Sequence, residues 1–375
     1  MKKLLYLTTW DFSNEESDGI AKKIRGQIKA FQESGFVVDY TCILNNETYY
    51  IKDGISYPLG KVGKFRKLAA NYYLYKRLKK ESYSRVYNRY GLMDTFYLKL
   101  LKGLSKNGAK IVVEIPTYPY DKECPPGLTW WMLYSLDKLY RNKMKKYVNL
   151  IATYSEDSEI FGIKAIQIYN GIDFDRISVR TPQNKTDEIR LLAVAGLARW
   201  HGYDRILKGI GEYYKQDGKR KIIMHIVGKG EASVEYEEIV ERYGIQEYYI
   251  FHGEKRGEDL DQIYNACDIG VECLGLFRKN IGMSSSLKSR EYVAKGLPFV
   301  MAGQSDVLEG KEFVLKVPEN ETPINIKDIV KFYDKMYNGK NKMSVAESIR
   351  RQTEELCDIR MTMKPVVQYF EARSM

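Results

Sequence analysis

Short apolar runs alternate with helical segments along this chain, and this alternation limits the possible folds more than any other feature. Residues 3–9, KLLYLTT, have the length of a strand. Apolar residues at positions 20, 24, 28 and 31 then predict an amphipathic helix, and residues 36–40 predict the next strand. A second series of strand, glycine turn and helix begins with residues 189–210. Repeated βαβ units predict an α/β fold with parallel sheets, whose ligands bind at the carboxyl ends of the strands.

The two series predict two domains. A chain of 375 residues is long enough to bury two separate cores. The polar segment RTPQNK, residues 180–185, separates the series and is the predicted hinge. We therefore expect domains at 1–180 and 186–357, with a C-terminal helix at about 358–375 that packs back on the first domain.

Composition excludes several classes of protein. The chain has no run of about 18 apolar residues, and its opening MKKLLYLTTWDF is interrupted too early for a signal peptide, so a cytoplasmic protein is expected. Five scattered cysteines without a CxxC pair, and only three histidines, argue against a disulfide framework or a zinc site. Asp173 and Asp175 have the spacing of a metal-binding DxD motif but lie close to the hinge, so no metal site is predicted.

The net charge of +11 calls for an anionic partner, which could be nucleic acid, a nucleotide or a membrane surface. Between Lys61 and Arg85 there are nine Lys or Arg and one acid, and apolar residues at 65, 68, 72 and 75 share a helical face. A second basic patch follows at 138–146. Such helices suit an anionic membrane surface, although a solvated helix face is the alternative. No nucleic-acid-binding motif is present, so nucleic acid is not the expected partner.

Residues 284–300, SSSLKSREYVAKGLPFV, predict a helix with an anion site at its start. A serine at the helix start caps free amides, and the remaining amides and the helix dipole attract an anion such as a diphosphate. Lys288 and Glu291 are three residues apart and share a face. A cation for phosphate and a carboxylate for ribose hydroxyls together predict a nucleotide diphosphate site, and an exposed ion pair is the alternative.

This segment resembles the donor-site helix of GT-B glycosyltransferases, in particular family 4 (glycosyl transferases group 1) of the bacterial polysaccharide-biosynthesis type. The family pattern is a glutamate, seven residues, a second glutamate, a small residue and GLP. Glu291 matches the second glutamate, but Met283 stands at the first position. The family's first domain closes with a strand that ends in Ser-Glu, a short helix and a strand that ends in Asn-Gly-Ile-Asp. The segments Ser155-Glu156 and Asn170-Gly171-Ile172-Asp173 resemble these two endings, so a short helix is implied between them.

The resemblance implies a GT-B fold, in which two Rossmann-like domains face each other across a cleft. It also implies donor contacts from the glycine loops and from the start of the helix. The expected donor-binding residues are Gly19, Gly196, Arg199, Gly228, Ser284, Ser285, Ser286, Leu287, Lys288 and Glu291. His201 stands where the family has a lysine.

On the acceptor side the resemblance implies Asp18, Glu114 and Tyr118. Glu114 follows the predicted strand 110–113, where the family has a histidine that lines the cleft. A carboxylate there is costly unless it is paired or employed. It either takes part in catalysis or only hydrogen-bonds loop amides.

The resemblance implies transfer of a hexosyl group from a UDP- or GDP-sugar to a saccharide or polyprenyl-diphosphate-linked acceptor, with retention of configuration. Glu114, Arg199 and Lys288 are the expected catalytic residues, and their fixed charges would replace a metal ion, so no cofactor is expected. An inverting enzyme would instead need Glu114 or Asp18 as a base. We expect a peripheral enzyme on the inner face of the cell membrane. The alternatives are a non-catalytic GT-B subunit and a GT-B sugar-nucleotide epimerase.

Overall fold

The computed structural model describes residues 2–13, 19–121, 125–183 and 187–372, which form two compact units. Unit 1 comprises Met1–Tyr169 and Ile359–Met375, and unit 2 comprises Asn170–Asp358. Among the described residues no helix has both the length and the apolar character needed to cross a bilayer.

Unit 1 is built on a nine-stranded sheet in the order β4-β3-β2-β1-β5-β6-β7-β9-β8. Its strands are β1 (Lys2–Leu7), β2 (Phe36–Leu44), β3 (Glu47–Lys52), β4 (Ile55–Lys61), β5 (Arg85–Arg89), β6 (Lys110–Ile115), β7 (Leu150–Thr153), β8 (Glu159–Ile160) and β9 (Ile163–Gln167). Its helices are α1 (Gly19–Glu33), α2 (Arg66–Leu78), α3 (Thr95–Lys106), α4 (Leu128–Tyr140), α11 (Ile359–Thr362) and α12 (Lys364–Glu371), with a 3-10 segment at Arg141–Lys146. From β2 through β1, β5, β6, β7 and β9, neighbouring strands are parallel. Their carboxyl ends therefore lie along one edge of the sheet.

A three-stranded meander and a separate hairpin in unit 1 were not predicted. Strands β2, β3 and β4 form an antiparallel meander. Its first turn is Asn45-Asn46 with φ of 47° and 60°, and its second is Asp53-Gly54 with φ of 49° and 80°. Asn, Asp and Gly tolerate this left-handed conformation, which two-residue hairpin turns require.

The hairpin formed by β8 and β9 replaces a short helix. The family resemblance implied a helix after Ser155-Glu156, but β8 and β9 pair antiparallel there. Phe161 and Gly162 connect them with φ of 54° and 74°. The implied helix is therefore wrong for this chain.

Unit 2 is built on a six-stranded parallel sheet in the order β12-β11-β10-β13-β15-β17. Its strands are β10 (Glu188–Val194), β11 (Lys221–Val227), β12 (Tyr249–Phe251), β13 (Ile269–Val271), β15 (Phe299–Ala302) and β17 (Val314–Val317), with a separate pair formed by β14 (Met283–Ser284) and β16 (Gln304–Ser305). Its helices are α5 (Tyr203–Lys215), α6 (Ser233–Tyr243), α7 (Gly257–Ala266), α8 (Leu287–Ala294), α9 (Ile326–Tyr337) and α10 (Lys342–Cys357).

The strand order of unit 2 locates its ligand site. Counted within the six-stranded sheet, the order is 3-2-1-4-5-6, which is that of dinucleotide-binding folds. The direction in which the chain winds reverses between β10 and β13, so the crevice for a ligand opens where these two strands end.

The predicted hinge begins with a residue that belongs to the core of unit 2. Arg180 is almost fully buried, and its guanidinium donates to the carbonyl of Cys267 and the hydroxyl of Tyr337, both at 2.8 Å. A buried, fully engaged guanidinium cannot serve as a flexible joint. The chain passes between the units earlier, at Tyr169 and Asn170. Asn184 and Lys185 of the predicted hinge lie outside the described residues.

Candidate active site

The loops that follow β10 and β13 pack directly on each other. Gly202 has a φ of 71°, and a Cβ there would lie 2.7 Å from the backbone nitrogen of Gly275. The backbone N–H of Leu274 donates to the carbonyl of His201 at 2.8 Å. The ends of the two strands therefore form one rigid edge at the point where the winding reverses.

The predicted glycines have different roles. Gly228, which follows β11, has a φ of 134°, and a Cβ there would lie 1.8 Å from the carbonyl oxygen of Ala195. This close approach of two strand ends accounts for the glycine without any ligand. Gly196 is exposed, and a Cβ there would meet nothing within 4 Å. Gly19 is the exposed first residue of α1 in unit 1.

The three serines before α8 are positioned by different partners. Ser284 pairs with Ser305 in the short β14–β16 ladder. Ser285 accepts a hydrogen bond from the backbone N–H of Asn170 at 3.2 Å on its Oγ, and its carbonyl accepts from the Asn170 side chain. Ser286 caps the helix, because its Oγ accepts from the N–H of Ser289 at 3.1 Å.

The capped helix begins at Leu287, as the sequence predicted. The amides of Leu287 and Lys288 precede the first intrahelical hydrogen bonds, so they face whatever lies beyond the helix end. Together with the helix dipole they give this end its affinity for anions.

One of the two cations near the start of α8 is neutralised inside the protein. Arg290 is fully buried and forms an ion pair with Asp306. Its Nε also donates to the carbonyl of Asn170 at 2.9 Å. Arg290 therefore fixes the serine loop, and Lys288 is the cation near the start of α8 that is left for a ligand.

Lys288 extends toward a buried carboxylate that the sequence analysis did not select. Its Nζ donates to the hydroxyl of Tyr203 at 3.2 Å and lies 4.0 Å from Oε1 of Glu272. Glu272 directly follows β13 and is fully buried. Its Oε2 accepts from the N–H of Cys273, whereas Oε1 has no hydrogen-bond partner among the described residues. The only sequence signal for Glu272 is a charged residue after an apolar strand.

His201 does not supply the charge of the lysine that it replaces. It is buried, and its Nδ1 accepts from the backbone N–H of Ala198 at 3.1 Å. Burial, and next the ammonium of Lys288, lowers the pKa of His201 to about 3. The imidazole is therefore neutral near pH 7 and helps to shape the loop.

The backbone of Arg199 is fixed by a hydrogen bond, whereas its side chain is exposed to solvent. Its carbonyl accepts from the guanidinium of Arg278 at 2.5 Å, and Arg278 pairs with both carboxylate oxygens of Asp204 at 2.8 and 3.0 Å. The Arg199 guanidinium forms no ion pair with any residue that the structure describes. An anchored backbone and an uncommitted guanidinium suit contact with phosphate oxygens.

Glu291 and Lys288 point to different neighbours although they share a helix face. Glu291 is half-buried and hydrogen-bonds the hydroxyl of Tyr264 in α7. Burial, and next the charge of Glu291, raises the pKa of Tyr264. Lys288 turns instead toward Tyr203 at the start of α5. The sequence identified both residues but could not show this divergence.

Glu114 lies in unit 1, at the centre of a dense set of hydrogen-bond donors. Its fully buried carboxylate accepts from Lys23 at 3.3 Å, Gln27 at 3.0 Å, Tyr87 at 2.8 Å, Arg89 at 2.7 Å and Tyr154 at 2.6 Å. Burial alone would raise the pKa of Glu114. The two cations and the hydrogen bonds outweigh burial and lower it to about 2.

These contacts argue against the suggested use of Glu114 as a base. A carboxylate with a pKa of about 2 and five donors has little affinity for a proton near pH 7. Of the two alternatives, the geometry favours hydrogen bonding, although the donors are side chains and not loop amides. Tyr118 packs edge to face on Phe161 with centroids 5.5 Å apart, and Asp18 lies outside the described residues.

Asp173 of the DxD string has a structural role. Its side chain accepts from the N–H of Asp175 at 3.2 Å and forms an ion pair with Arg176 at 3.4 Å. These contacts cap the 3-10 turn Phe174–Arg176.

Comparison with known proteins connects this site to sugar transfer. Residues 175–283 match the family model described as "Glycosyl transferases group 1". The matched segment contains Gly196, Arg199, Gly228 and Glu272, and it stops just before the helix with Lys288. No curated protein sequence matches the chain.

Solved structures resemble the chain over almost its whole length. Sucrose-phosphate synthase from Thermosynechococcus elongatus is 13% identical with a TM-score of 0.66, and the match covers 100% of both chains. A glycosyltransferase from Rickettsia africae is 13% identical with a TM-score of 0.63, and the match covers 98% of this chain and 97% of that one. Anabaena HepE in complex with UDP is 12% identical with a TM-score of 0.60, and the match covers 98% and 99%.

These likenesses confirm the GT-B fold that the sequence predicted. The family match supports a glycosyltransferase, which is the predicted class of enzyme.

Proposed function

We propose that the protein transfers a hexosyl group from a nucleotide diphosphate sugar to a hydroxyl of a saccharide or lipid-linked saccharide. One observation carries this proposal: the ammonium of Lys288 lies at the capped start of α8, in the unit whose winding reverses between β10 and β13. A diphosphate that rests there meets the helix amides, Lys288 and the guanidinium of Arg199. Glu291 would hold the ribose hydroxyls.

The proposed reaction exchanges one bond at the anomeric carbon of the sugar. The bond from this carbon to the diphosphate oxygen breaks, and the electron pair leaves with the nucleotide diphosphate. The acceptor oxygen forms the new bond, and its proton passes to the departing phosphate oxygen. Lys288, Arg199 and the amides of α8 stabilise the charge that develops on the diphosphate, which is the task that a metal ion performs in other transferases.

The environment of Glu114 supports retention of configuration. Inversion needs a carboxylate base on the acceptor side. The low pKa of Glu114 argues against this residue as the base, and Asp18, the other candidate, lies outside the described residues. In the retaining reaction the phosphate oxygen takes the proton, and no such base is needed.

A donor assay tests the proposed function. We propose a uridine nucleotide because the similar Anabaena protein was solved with UDP. UDP-, GDP- and ADP-sugars are incubated with the protein, and released nucleotide and sugar are measured. We expect slow release of UDP and free hexose from a UDP-sugar. An epimerised sugar nucleotide would indicate an epimerase. A protein that neither binds nor cleaves any donor would fit the non-catalytic subunit.

Glu272 is proposed as a positioning residue that holds the ammonium of Lys288 without touching the donor. In Glu272→Gln the amide loses the negative charge opposite Lys288, so the ammonium is less well ordered. We expect kcat/KM for the nucleotide sugar to fall about tenfold, which corresponds to about 1.4 kcal/mol. Thermal stability should change little, because the amide removes a buried negative charge but places an NH2 group without an acceptor at the same position.

Two further variants separate this role from a merely structural one. Glu272→Asp keeps the charge and should recover part of the lost activity. Glu312→Gln removes an exposed carboxylate elsewhere in unit 2 and should change nothing. Wild-type kinetics in Glu272→Gln would rule out the positioning role.

A further inference from the structure

Helix α4 carries an apolar stripe that no described part of the chain covers. Leu128, Trp131 and Leu139 are 82%, 65% and 58% exposed. They lie at positions i, i+3 and i+11, which fall on one side of a helix. Asp137 is the only fully buried residue of the thirteen in α4. The helix therefore presents these three apolar side chains outward.

The orientation of α4 is fixed by that one buried carboxylate. Asp137 accepts from the backbone N–H of Met93 and the hydroxyl of Tyr120, both at 2.6 Å, and from the hydroxyl of Tyr90. Rotating the helix to bury its apolar stripe would break these hydrogen bonds and leave the Asp137 carboxylate without partners. The exposed stripe is therefore a stable feature of unit 1.

Basic side chains lie at the C-terminal end of the apolar stripe. Lys143, Lys145 and Lys146 are exposed in the 3-10 segment that follows α4, and Lys138 is exposed within α4. Where α4 faces α2, the Nζ of Lys67 in α2 lies 5.4 Å from the ring centre of Trp130. Apolar and positively charged surfaces thus meet in one region of unit 1.

This combination of apolar and basic side chains fits a lipid surface better than a second copy of this chain. Soluble monomers seldom expose a large contiguous apolar patch, and helices with Trp and Leu on one side and Lys nearby lie in the interface of anionic membranes. A second copy would bring like charges together at the rim and repel. We propose that the exposed stripe of α4 and the lysines 143, 145 and 146 dock unit 1 on an anionic lipid bilayer.

Helix α2, which the sequence analysis named together with residues 138–146 for this contact, is less suitable. Arg77 forms an ion pair with Glu81, and the Nζ of Lys79 lies 4.9 Å from the ring centre of Tyr75. Part of its charge is therefore engaged within unit 1. Its apolar stripe is also less exposed, since Phe65 and Tyr72 are 48% and 40% exposed, against 82% and 65% for Leu128 and Trp131 of α4.

The inference deepens the proposed function, since a lipid-linked acceptor requires the enzyme at a membrane. Sedimentation of the full chain with vesicles tests it, using phosphatidylglycerol with phosphatidylcholine in one series and phosphatidylcholine alone in the other. We expect the wild type to sediment with the anionic vesicles and to remain in the supernatant with the neutral ones.

Two variants with matched controls identify the docking surface. The apolar variant is Leu128→Ser, Trp131→Ser, Leu139→Ser, and its control is Val234→Ser, which changes a 63% exposed residue of unit 2. The charge variant is Lys143→Glu, Lys145→Glu, Lys146→Glu, and its control reverses the exposed Lys327, Lys331 and Lys335 of α9. At about 1 kcal/mol for each lysine near the surface, the charge variant should bind at least about 100-fold more weakly.

Several results would overturn the proposal. The wild type could fail to sediment with anionic vesicles. The two variants could sediment as the wild type does, or the control variants could lose sedimentation to the same extent. A dimer in solution that the apolar variant dissociates would make the stripe a contact between copies instead. Donor cleavage without vesicles is measured in parallel. Its failure counts against the proposed function alone, and its persistence in both variants shows that they fold.

Discussion

Replacing Lys288 with alanine should lower kcat/KM for the nucleotide sugar by about 10²- to 10³-fold, which is typical for the loss of one group that stabilises developing negative charge. The alanine keeps the backbone amides of α8 and removes only the ammonium. The variant also loses a hydrogen bond to Tyr203 and a 4.0 Å charge contact to the buried Glu272, so its thermal unfolding is measured beside its kinetics. Steady-state kinetics with the donor found in the cleavage assay give the measurement.

Controls make this result specific to the site. Lys327→Ala removes an exposed lysine from the first turn of α9 and should leave kcat/KM unchanged. Lys288→Arg keeps the charge in a larger side chain and should retain more activity than the alanine. Kinetics for Lys288→Ala within about twofold of the wild type would mean that the diphosphate does not contact this ammonium.

Replacing Glu114 with alanine should lower the free energy of unfolding of unit 1 by about 3–5 kcal/mol, the usual cost of removing one partner from a buried ion pair. The cations of Lys23 and Arg89 would remain almost fully buried without the carboxylate that neutralises them. The hydroxyls of Tyr87 and Tyr154 would lose their acceptor as well. Denaturant unfolding of the variant and the wild type measures the difference.

Two comparisons distinguish this structural role from catalysis. Glu159→Ala removes an exposed carboxylate from β8 and should unfold like the wild type. Glu114→Gln should bind the donor normally when folded, and its transfer rate should fall only as far as the folded fraction falls. Wild-type stability together with near-total loss of transfer would return Glu114 to the catalytic residues.

The sequence predicted those parts of the fold that depend on local pattern. The strands of both parallel sheets follow apolar runs, and α8 begins where Ser286 supplies a cap. The meander was missed because β3 and β4, which follow the predicted strand β2, lie in a polar, tyrosine-rich stretch. Its turns at Asn45-Asn46 and Asp53-Gly54 carried a signal that a search for hairpins could have used.

The sequence could predict only those residues of the candidate site that lie together on one helix. Lys288 and Glu291 could be selected from their spacing on one helix. The sequence could not show that Arg290, on the same helix, is unavailable to a ligand. Arg290 is fully buried because it pairs with Asp306, which lies outside the helix. Glu272 escaped notice because β13 has only three residues and its neighbour Lys288 comes from another element.

The sequence analysis recognised Glu114 as a carboxylate that needs partners but could not identify them. Its partners come from α1, from β5 and from the segment after β7, which only the folded sheet brings together. The two cations and the hydrogen bonds, not the position of Glu114 in β6, lower its pKa. Roles that rest on tertiary environment therefore had to wait for the structure.

The central claim is that a nucleotide diphosphate rests on the start of α8 beside Lys288. A crystal structure of the protein with UDP tests it most directly. We expect phosphate oxygens within hydrogen-bonding distance of the amides of Leu287 or Lys288 and of the Lys288 Nζ, with the ribose near Glu291. Well-ordered UDP at any other place, with Lys288 still on Tyr203 and the start of α8 open to solvent, would contradict the account.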